Sequence, residues 1–376
     1  MKYKSLNICE KQKEKYISYA NKSFRTDREL KVEIVENGVI LPAKKDNRDN
    51  PKLWAMGGIV DEKDNFVQNS ESRYLFGGYY EHNEEREEYI DKEVVFMGPF
   101  IKHWGHFICD QISRLWYILD NPKDVLVAYC GWNWETSVSD LDGNFLEFME
   151  LLGLSKNQLI NVQTPTRFKK IIIPEFSFIP AEYYSDQYLK LLDTVTTNAL
   201  KGNYKVPKKV YLTRSQLLHN DKEKGEDKII DYLSKIDYTV LSPEKLSLVE
   251  QIRIFNKSES VCMISGSISH NIMFNKSNNE IIILNKIDLI NDYQMLIDHI
   301  CTGNINYIDI YHKIKPVLFG KGPFLIYVSK YMQQYFKVKD SSKITSEDIK
   351  WFKDSYNRIY SIKENKDLLM RQNKNL

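Results

Sequence analysis

Ser260-Val261-Cys262-Met263-Ile264-Ser265-Gly266-Ser267-Ile268-Ser269-His270-Asn271-Ile272-Met273-Phe274 reads as an apolar strand, a small hydroxyl-rich turn with one glycine, and the start of a helix. A continuous apolar run of this kind predicts a strand covered on both faces, as in a parallel sheet. Backbone amides and the positive end of the helix then gather where the chain turns, a setting that favours phosphate. Gly266 permits close approach of a ligand or an unusual dihedral, and Ser267, Ser269, His270 and Asn271 can hydrogen-bond there. A purely local reading competes, in which Ser269 only caps the helix.

The same rhythm extends on both sides. Strands at 210–213, 238–241, 260–264, 280–284 and 307–310 alternate with helices at 227–235, 247–255 and 291–301, and a helical tail lies near 345–364. Upstream, strands at 94–97, 125–129 and 171–173 alternate with a histidine-containing helix that begins at His103 and with helices at 144–152 and 186–200. Strands alternating with amphipathic helices define an α/β fold of βαβ units. The polar stretch 201–209, with Gly202 and Pro207, separates the two runs. The expected domains are therefore 1–203, 204–320 and a helical tail, 321–376, packing back on the lobes. Within the first lobe the short strands at 31–35 and 39–41 precede an acidic stretch, 81–91, and find no place in the βαβ pattern.

A chain of 376 residues suits two such lobes. Charged residues make up 28% and hydrophobic ones 42%, which excludes a long disordered tract, and a net charge of +2 argues against a dedicated nucleic-acid binder. Cys9, Cys109, Cys130, Cys262 and Cys301 include no C-x-x-C pair, so free thiols in a reducing compartment are expected. The first residues lack the apolar core of a signal peptide, and no apolar run approaches the roughly 18 residues of a membrane helix. The expectation is a cytoplasmic protein.

The second informative stretch is His103-Trp104-Gly105-His106-Phe107-Ile108-Cys109-Asp110-Gln111-Ile112-Ser113-Arg114-Leu115-Trp116, with two of the seven histidines. At about 100° per residue, His103, His106, Asp110 and Arg114 share one stripe, with Trp104, Ile108, Ile112 and Leu115 opposite. A solvated surface face would also be polar, but such faces carry Lys and Glu rather than His-x-x-His-x-x-x-Asp. His106 and Asp110 are both candidates for a general base, since a carboxylate beside a histidine raises its basicity. His103 could orient an acceptor, and Arg114 could contact or support it.

Arg214 closes the strand at 210–213, on the carboxyl edge where doubly wound sheets bind ligands, and its guanidinium suits a diphosphate. Lys222 and Lys224 follow in a charged loop. Glu250 begins a helix as part of the capping box Ser247-x-x-Glu250, or else holds a ribose. The G-x-G-x-x-G fingerprint of NAD binding is absent. Asp140-Leu141-Asp142 forms a D-x-D, but it precedes a helix, where capping is expected.

In order and spacing these segments resemble glycosyltransferase family 61. The family shows a His-x-x-His-aromatic-x-x-Asp-x-x-x-Arg-Leu segment, matched by His103, His106, Phe107, Asp110, Arg114 and Leu115. A strand ending in Thr213-Arg214 follows, then Pro243-Glu244-Lys245-Leu246-Ser247-Leu248-Val249-Glu250-Gln251, then Gly266, Asn271 and Phe274. Two departures stand out. Ser265-Gly266-Ser267 replaces the His-Gly-Ala of many members, and where they carry a second arginine this chain has only His219, Lys222 and Lys224.

The resemblance implies a GT-B architecture of two facing Rossmann-like lobes and an inverting hexosyl- or pentosyltransferase. No obligatory metal or other cofactor is expected. The donor would be a nucleotide diphosphate sugar, gripped by Arg214, Glu250, Gly266, Ser267, Ser269, His270 and Asn271. A glycan or lipid-linked glycan would be the acceptor, in bacterial capsule or exopolysaccharide assembly, with no nucleic-acid partner and with peripheral association at the inner membrane face where lipid-linked acceptors sit. Two rivals remain open: a metal-dependent hydrolase with His103, His106 and Asp110 as ligands, and a non-catalytic module that binds sugar nucleotides or polysaccharide.

Overall fold

The computed structural model describes residues 3–44, 56–72, 77–120, 125–132, 140–217 and 221–374. The chain forms two compact units, one of Phe24–Lys201 and one of Met1–Ser23 with Gly202–Leu376.

The second of these contains a six-stranded sheet whose neighbours are all parallel, in the order Tyr3–Asn7, Asn304–Asp309, Glu280–Asn285, Ser260–Ile264, Lys209–Leu212, Thr239–Leu241. Val261 to Ile264 and Ile281 to Leu284 are fully buried, the continuous apolar pattern of strands covered on both faces. Each such side chain contributes about 1.5–3 kcal/mol by leaving water. Helices Glu226–Ser234, Leu248–Lys257 and Asp292–Ile300 make the crossovers, and an eight-residue 3₁₀ helix, Ser267–Phe274, stands where the sequence predicted an ordinary one.

After Lys209–Leu212 the chain builds Thr239–Leu241 on one side, then returns to build Ser260–Ile264 on the other. The order of strands therefore reverses between Lys209–Leu212 and Ser260–Ile264, and ligands of doubly wound sheets bind at the carboxyl ends of the strands flanking such a switch.

The N-terminal segment departs from the expected 1–203 domain. Tyr3–Asn7 pairs in parallel with Asn304–Asp309, and the rings of Tyr3, Tyr16 and Tyr307 pack together. Asp309 also accepts a hydrogen bond from the Cys9 backbone at 2.8 Å. The edge of the sheet is thus completed by residues from the other end of the sequence. Helices Ser346–Tyr360 and Lys363–Lys374 belong to this unit as well: Phe352, Tyr360 and Leu369 share an apolar cluster with Val317, Leu318 and Phe324.

The unit Phe24–Lys201 has a mixed sheet. Thr166–Pro174, Glu88–Ile101, Leu126–Trp132 and Leu159–Asn161 run parallel, while Val32–Glu36 and Val39–Lys44 pair antiparallel with Thr166–Pro174, and Met56–Val60 extends the edge. The strands outside the βαβ pattern are thus an antiparallel addition to a parallel core. One face is filled by Val94, Phe96, Ala128, Cys130, Phe168, Ile171 and Ile173. Among the described residues, no helix is long and apolar enough to cross a membrane.

Candidate active site

The strand Glu88–Ile101 runs directly into the histidine segment, so His103 stands at the carboxyl edge of the parallel core. The segment is not one regular helix. A single turn, Trp104–His106, passes into a π-helical stretch, Phe107–Gln111, and then a 3₁₀ stretch, Ile112–Asp120. Phe107 anchors it among Phe100, Phe145 and Phe148, and the Gln111 amide bonds both backbone groups of Ile101 at 3.3 Å. Such wide turns recur at functional sites because they re-aim side chains.

His106 and Asp110 meet: Nδ1 lies 2.7 Å from Oδ2 of Asp110, with the Asp110 side chain nearly buried and that of His106 about a quarter exposed. Burial pushes the Asp110 carboxyl above the ordinary range, against the opposing pull of His106. His103 accepts a long bond from the His106 backbone amide at 3.4 Å, and its ring packs on that of His106, 4.8 Å between centroids. Although the residue is exposed, desolvation of its ring and then the neighbouring His106 lower its pKa to about 4.

Arg114 leaves the predicted stripe. It is 1% exposed, with its guanidinium 4.1 Å from the Phe176 ring centroid and Nη2 donating to the Asn69 carbonyl. The change from π to 3₁₀ winding breaks the 100° progression on which the stripe rested, so Arg114 turns inward. Among the described residues its buried Nε and Nη1 find no hydrogen-bond partner, and burial lowers its pKa to about 9. It supports the segment from within. The His82 side chain is also buried, with Nε2 2.8 Å from Glu87.

In the other unit, Arg214 follows Lys209–Leu212 and Gly266 follows Ser260–Ile264, at the reversal of strand order. Gly266 has φ +155°, a conformation that side chains resist, and a β-carbon there would lie 2.9 Å from Nη1 of Arg214. Arg214 is fixed from two directions. Its backbone N–H donates to Glu226 at 2.8 Å, and Nε donates to Glu223 at 3.1 Å.

The remaining donor-side residues divide. Ser267 is half-buried at the turn. Ser269 braces the turn itself, donating to Gly266 O at 2.7 Å, with Gln294 2.6 Å away. Asn271 is buried and donates to Gln251 at 2.9 Å, and Gln251 in turn holds Pro243 O and Leu246 O. The His270 ring stacks parallel to Tyr293. Glu250 is exposed and completes the capping box with Ser247, at 2.8 and 3.1 Å, so the local reading of Glu250 is the one the geometry follows.

Asp142 makes no side-chain cap and pairs instead with Lys102, while Asp140 accepts from Asn161. His219 lies outside the described residues. Among those described, no group of three or more His, Cys, Asp and Glu side chains is arranged to hold a metal ion.

Glu223, Glu226, Gln111 and Lys286 are absent from the sequence-based site. For Lys286 a signal existed: it follows the strand Glu280–Asn285 as Arg214 follows Lys209–Leu212, and the carboxyl-edge argument applies to both.

An α/β chain with ionisable groups gathered at the carboxyl edges of parallel strands is of the class that binds and processes ligands there. Residues 104–282 match the family model described as Glycosyltransferase 61, the family that the motif order resembles. The chain is thus similar to family 61 over this segment, and the activity the likeness implies is glycosyl transfer in general, from a sugar donor to a glycan acceptor. Comparison with curated proteins finds no match.

Proposed function

We propose that the protein is an inverting, metal-independent glycosyltransferase that moves a sugar from a nucleotide diphosphate sugar to a hydroxyl of a glycan in capsular or exopolysaccharide assembly. Its two units would each supply one lobe of a GT-B enzyme. The observation that carries this reading is Arg214 beside Gly266 at the reversal of strand order in the segment similar to family 61.

The His106–Asp110 pair supplies the base. Asp110 holds Nδ1–H of His106, which puts the lone pair of the neutral ring on Nε2. Nε2 takes the proton of the acceptor hydroxyl as its oxygen attacks the anomeric carbon from the face opposite the diphosphate. The bond from that carbon to the phosphate oxygen breaks, and its electron pair leaves with the nucleoside diphosphate. Arg214 and the amides after Gly266 stabilise the developing charge. The burial of Asp110 favours it as the group that orients His106, with His106 as the base.

A thermal-shift screen of nucleotide sugars with and without EDTA tests the reading. Stabilisation by one donor in both arms is expected, followed by glycan-dependent release of its nucleoside diphosphate. Stabilisation that EDTA abolishes would favour the metal-dependent hydrolase, and binding without turnover would favour the binding module.

A further inference from the structure

Strand Glu280–Asn285 pairs in parallel with Ser260–Ile264, with Leu284 opposite Ile264. Lys286 therefore emerges at the same carboxyl edge as Ser265 and Gly266, and its backbone N–H reaches Ser265 Oγ at 3.4 Å. Its ammonium is not in solvent. Lys286 is 8% exposed, its Nζ stands 4.6 Å from the Phe324 ring centroid, and it forms an ion pair with Oε1 of Glu223. The other oxygen of Glu223 receives Nε of Arg214, and the Glu223 side chain is only 2% exposed.

Lys286 and Glu223 are thus buried beside the glycine turn together with the partly buried Arg214, and Glu226, 6% exposed, holds the Arg214 backbone N–H at 2.8 Å. Desolvating such charged groups is costly, and apolar side chains of similar volume often hold elements together as well. Both cations converge on one carboxylate at the edge where Arg214 stands beside Gly266. Burial pushes the Glu223 carboxyl up, but Lys286 and Arg214 outweigh it and hold it ionised below the usual range.

We propose that Lys286 is the second cation of the diphosphate subsite, with Glu223 as the carboxylate that holds Lys286 and Arg214 ready beside Gly266. The proposal rests on the reading of Arg214 and Gly266 as the donor's diphosphate site. An ammonium carries three N–H donors, one of which Glu223 engages, so Lys286 can bond phosphate without releasing its partner. As the bond from the anomeric carbon to oxygen breaks, the electron pair accumulates on the diphosphate, and a second fixed cation supplements the Arg214 charge there. Lys286 lies just beyond the segment that matches the family model, which ends at residue 282.

Titration separates a phosphate contact from a purely structural one. Desolvation, with a smaller contribution from Arg214, lowers the Lys286 pKa to about 8, against the upward pull of Glu223 and Glu226. In the free protein its charge is therefore lost as pH rises through about 8.

The test is calorimetric titration of the full chain with UDP, GDP, CDP, ADP and inorganic pyrophosphate, and with the matching nucleosides. It is run on wild type, Lys286→Met and Lys286→Arg at pH 7 and 9.5. Wild type is expected to bind one nucleoside diphosphate, more weakly at pH 9.5. Lys286→Met should bind it at least tenfold more weakly at pH 7 with nucleoside affinity unchanged, and Lys286→Arg should restore most of the affinity and keep it at pH 9.5. If Lys286→Met does not fold, Glu223→Gln/Lys286→Met removes the orphaned carboxylate and carries the same expectation. Unchanged diphosphate affinity in the methionine variants, or an equal loss for the nucleoside, overturns the proposal while leaving the donor-site reading intact. A wild type that binds none of the diphosphates overturns both.

Discussion

The β-carbon that Gly266 lacks would sit 2.9 Å from Nη1 of Arg214. Glycine here serves both the backbone, at φ +155°, and the guanidinium beside it. Because the obstructed atom is the end of a flexible side chain, Gly266→Ala should displace the guanidinium as well as strain the turn. The expected result is an affinity loss for the nucleoside diphosphate of tenfold or more by calorimetry, with a stability loss of about 1–3 kcal/mol from the backbone alone. An alanine variant with wild-type diphosphate affinity would dissociate the glycine from the subsite.

The His106–Asp110 contact at 2.7 Å predicts coupled losses. Asp110→Asn should reduce transfer by about 10²–10⁴-fold, and His106→Ala by a similar factor, while the double variant should fall little further, as the proposed single base requires. Nucleoside diphosphate affinity should stay near wild type in all three. Steady-state rates for wild type and the three variants close the cycle, and independent, multiplying losses would overturn the proposed single base.

Much of this was legible in the sequence, and the reason is local. The apolar run Ser260–Ile264, the glycine that follows and the strand end at Arg214 each carry a signal within a few residues, and all stand at the carboxyl edge expected of them. What was not legible depends on distant partners. Tyr3–Asn7 has no local feature that assigns it to a sheet edge formed some 300 residues later. The π-helical stretch Phe107–Gln111 answers to the packing of Phe107 and the hold of Gln111 on Ile101, so helical spacing alone could not show that Arg114 turns inward. Glu223 gains its meaning only when Lys286, distant in sequence, arrives beside it.

Acid sensitivity has an identifiable contributor in Asp348. Its burial would raise the pKa, but the Thr345 backbone N–H at 2.9 Å and Lys228 at 3.0 Å outweigh that and lower it to about 2. A carboxylate whose folded pKa lies below its unfolded value contributes stability that is present above the unfolded value, near 3.8, and is lost as pH falls through about 2. The contribution is about 2 kcal/mol at neutral pH. Asp348→Asn should lower stability by roughly that amount at pH 7 and flatten its decline between about pH 5 and 2. Urea unfolding across pH checks this, and an unchanged acid slope would reassign the effect to other carboxylates.

Glu226 is the deepest support of the strand end that carries Arg214. One oxygen, Oε1, accepts from Tyr211 OH, Thr213 Oγ1 and Arg214 N, each at 2.8 Å, and the residue is 6% exposed. Glu226→Ala strands three donors in a buried site, each costing about 1–3 kcal/mol if unmet. Glu226→Gln keeps a carbonyl oxygen able to accept all three, and its new amide group replaces Oε2, which has no hydrogen-bond partner among the described residues. The alanine variant is therefore expected to lose about 3 kcal/mol or more and the glutamine variant well under half of that, measured by denaturant unfolding. Since Arg214 hangs from the same oxygen by its backbone, the folded alanine variant should also bind nucleoside diphosphate more weakly than the glutamine variant. Equal stability in the two variants would mean that the three donors find other acceptors, and that Arg214 is positioned by Glu223 alone.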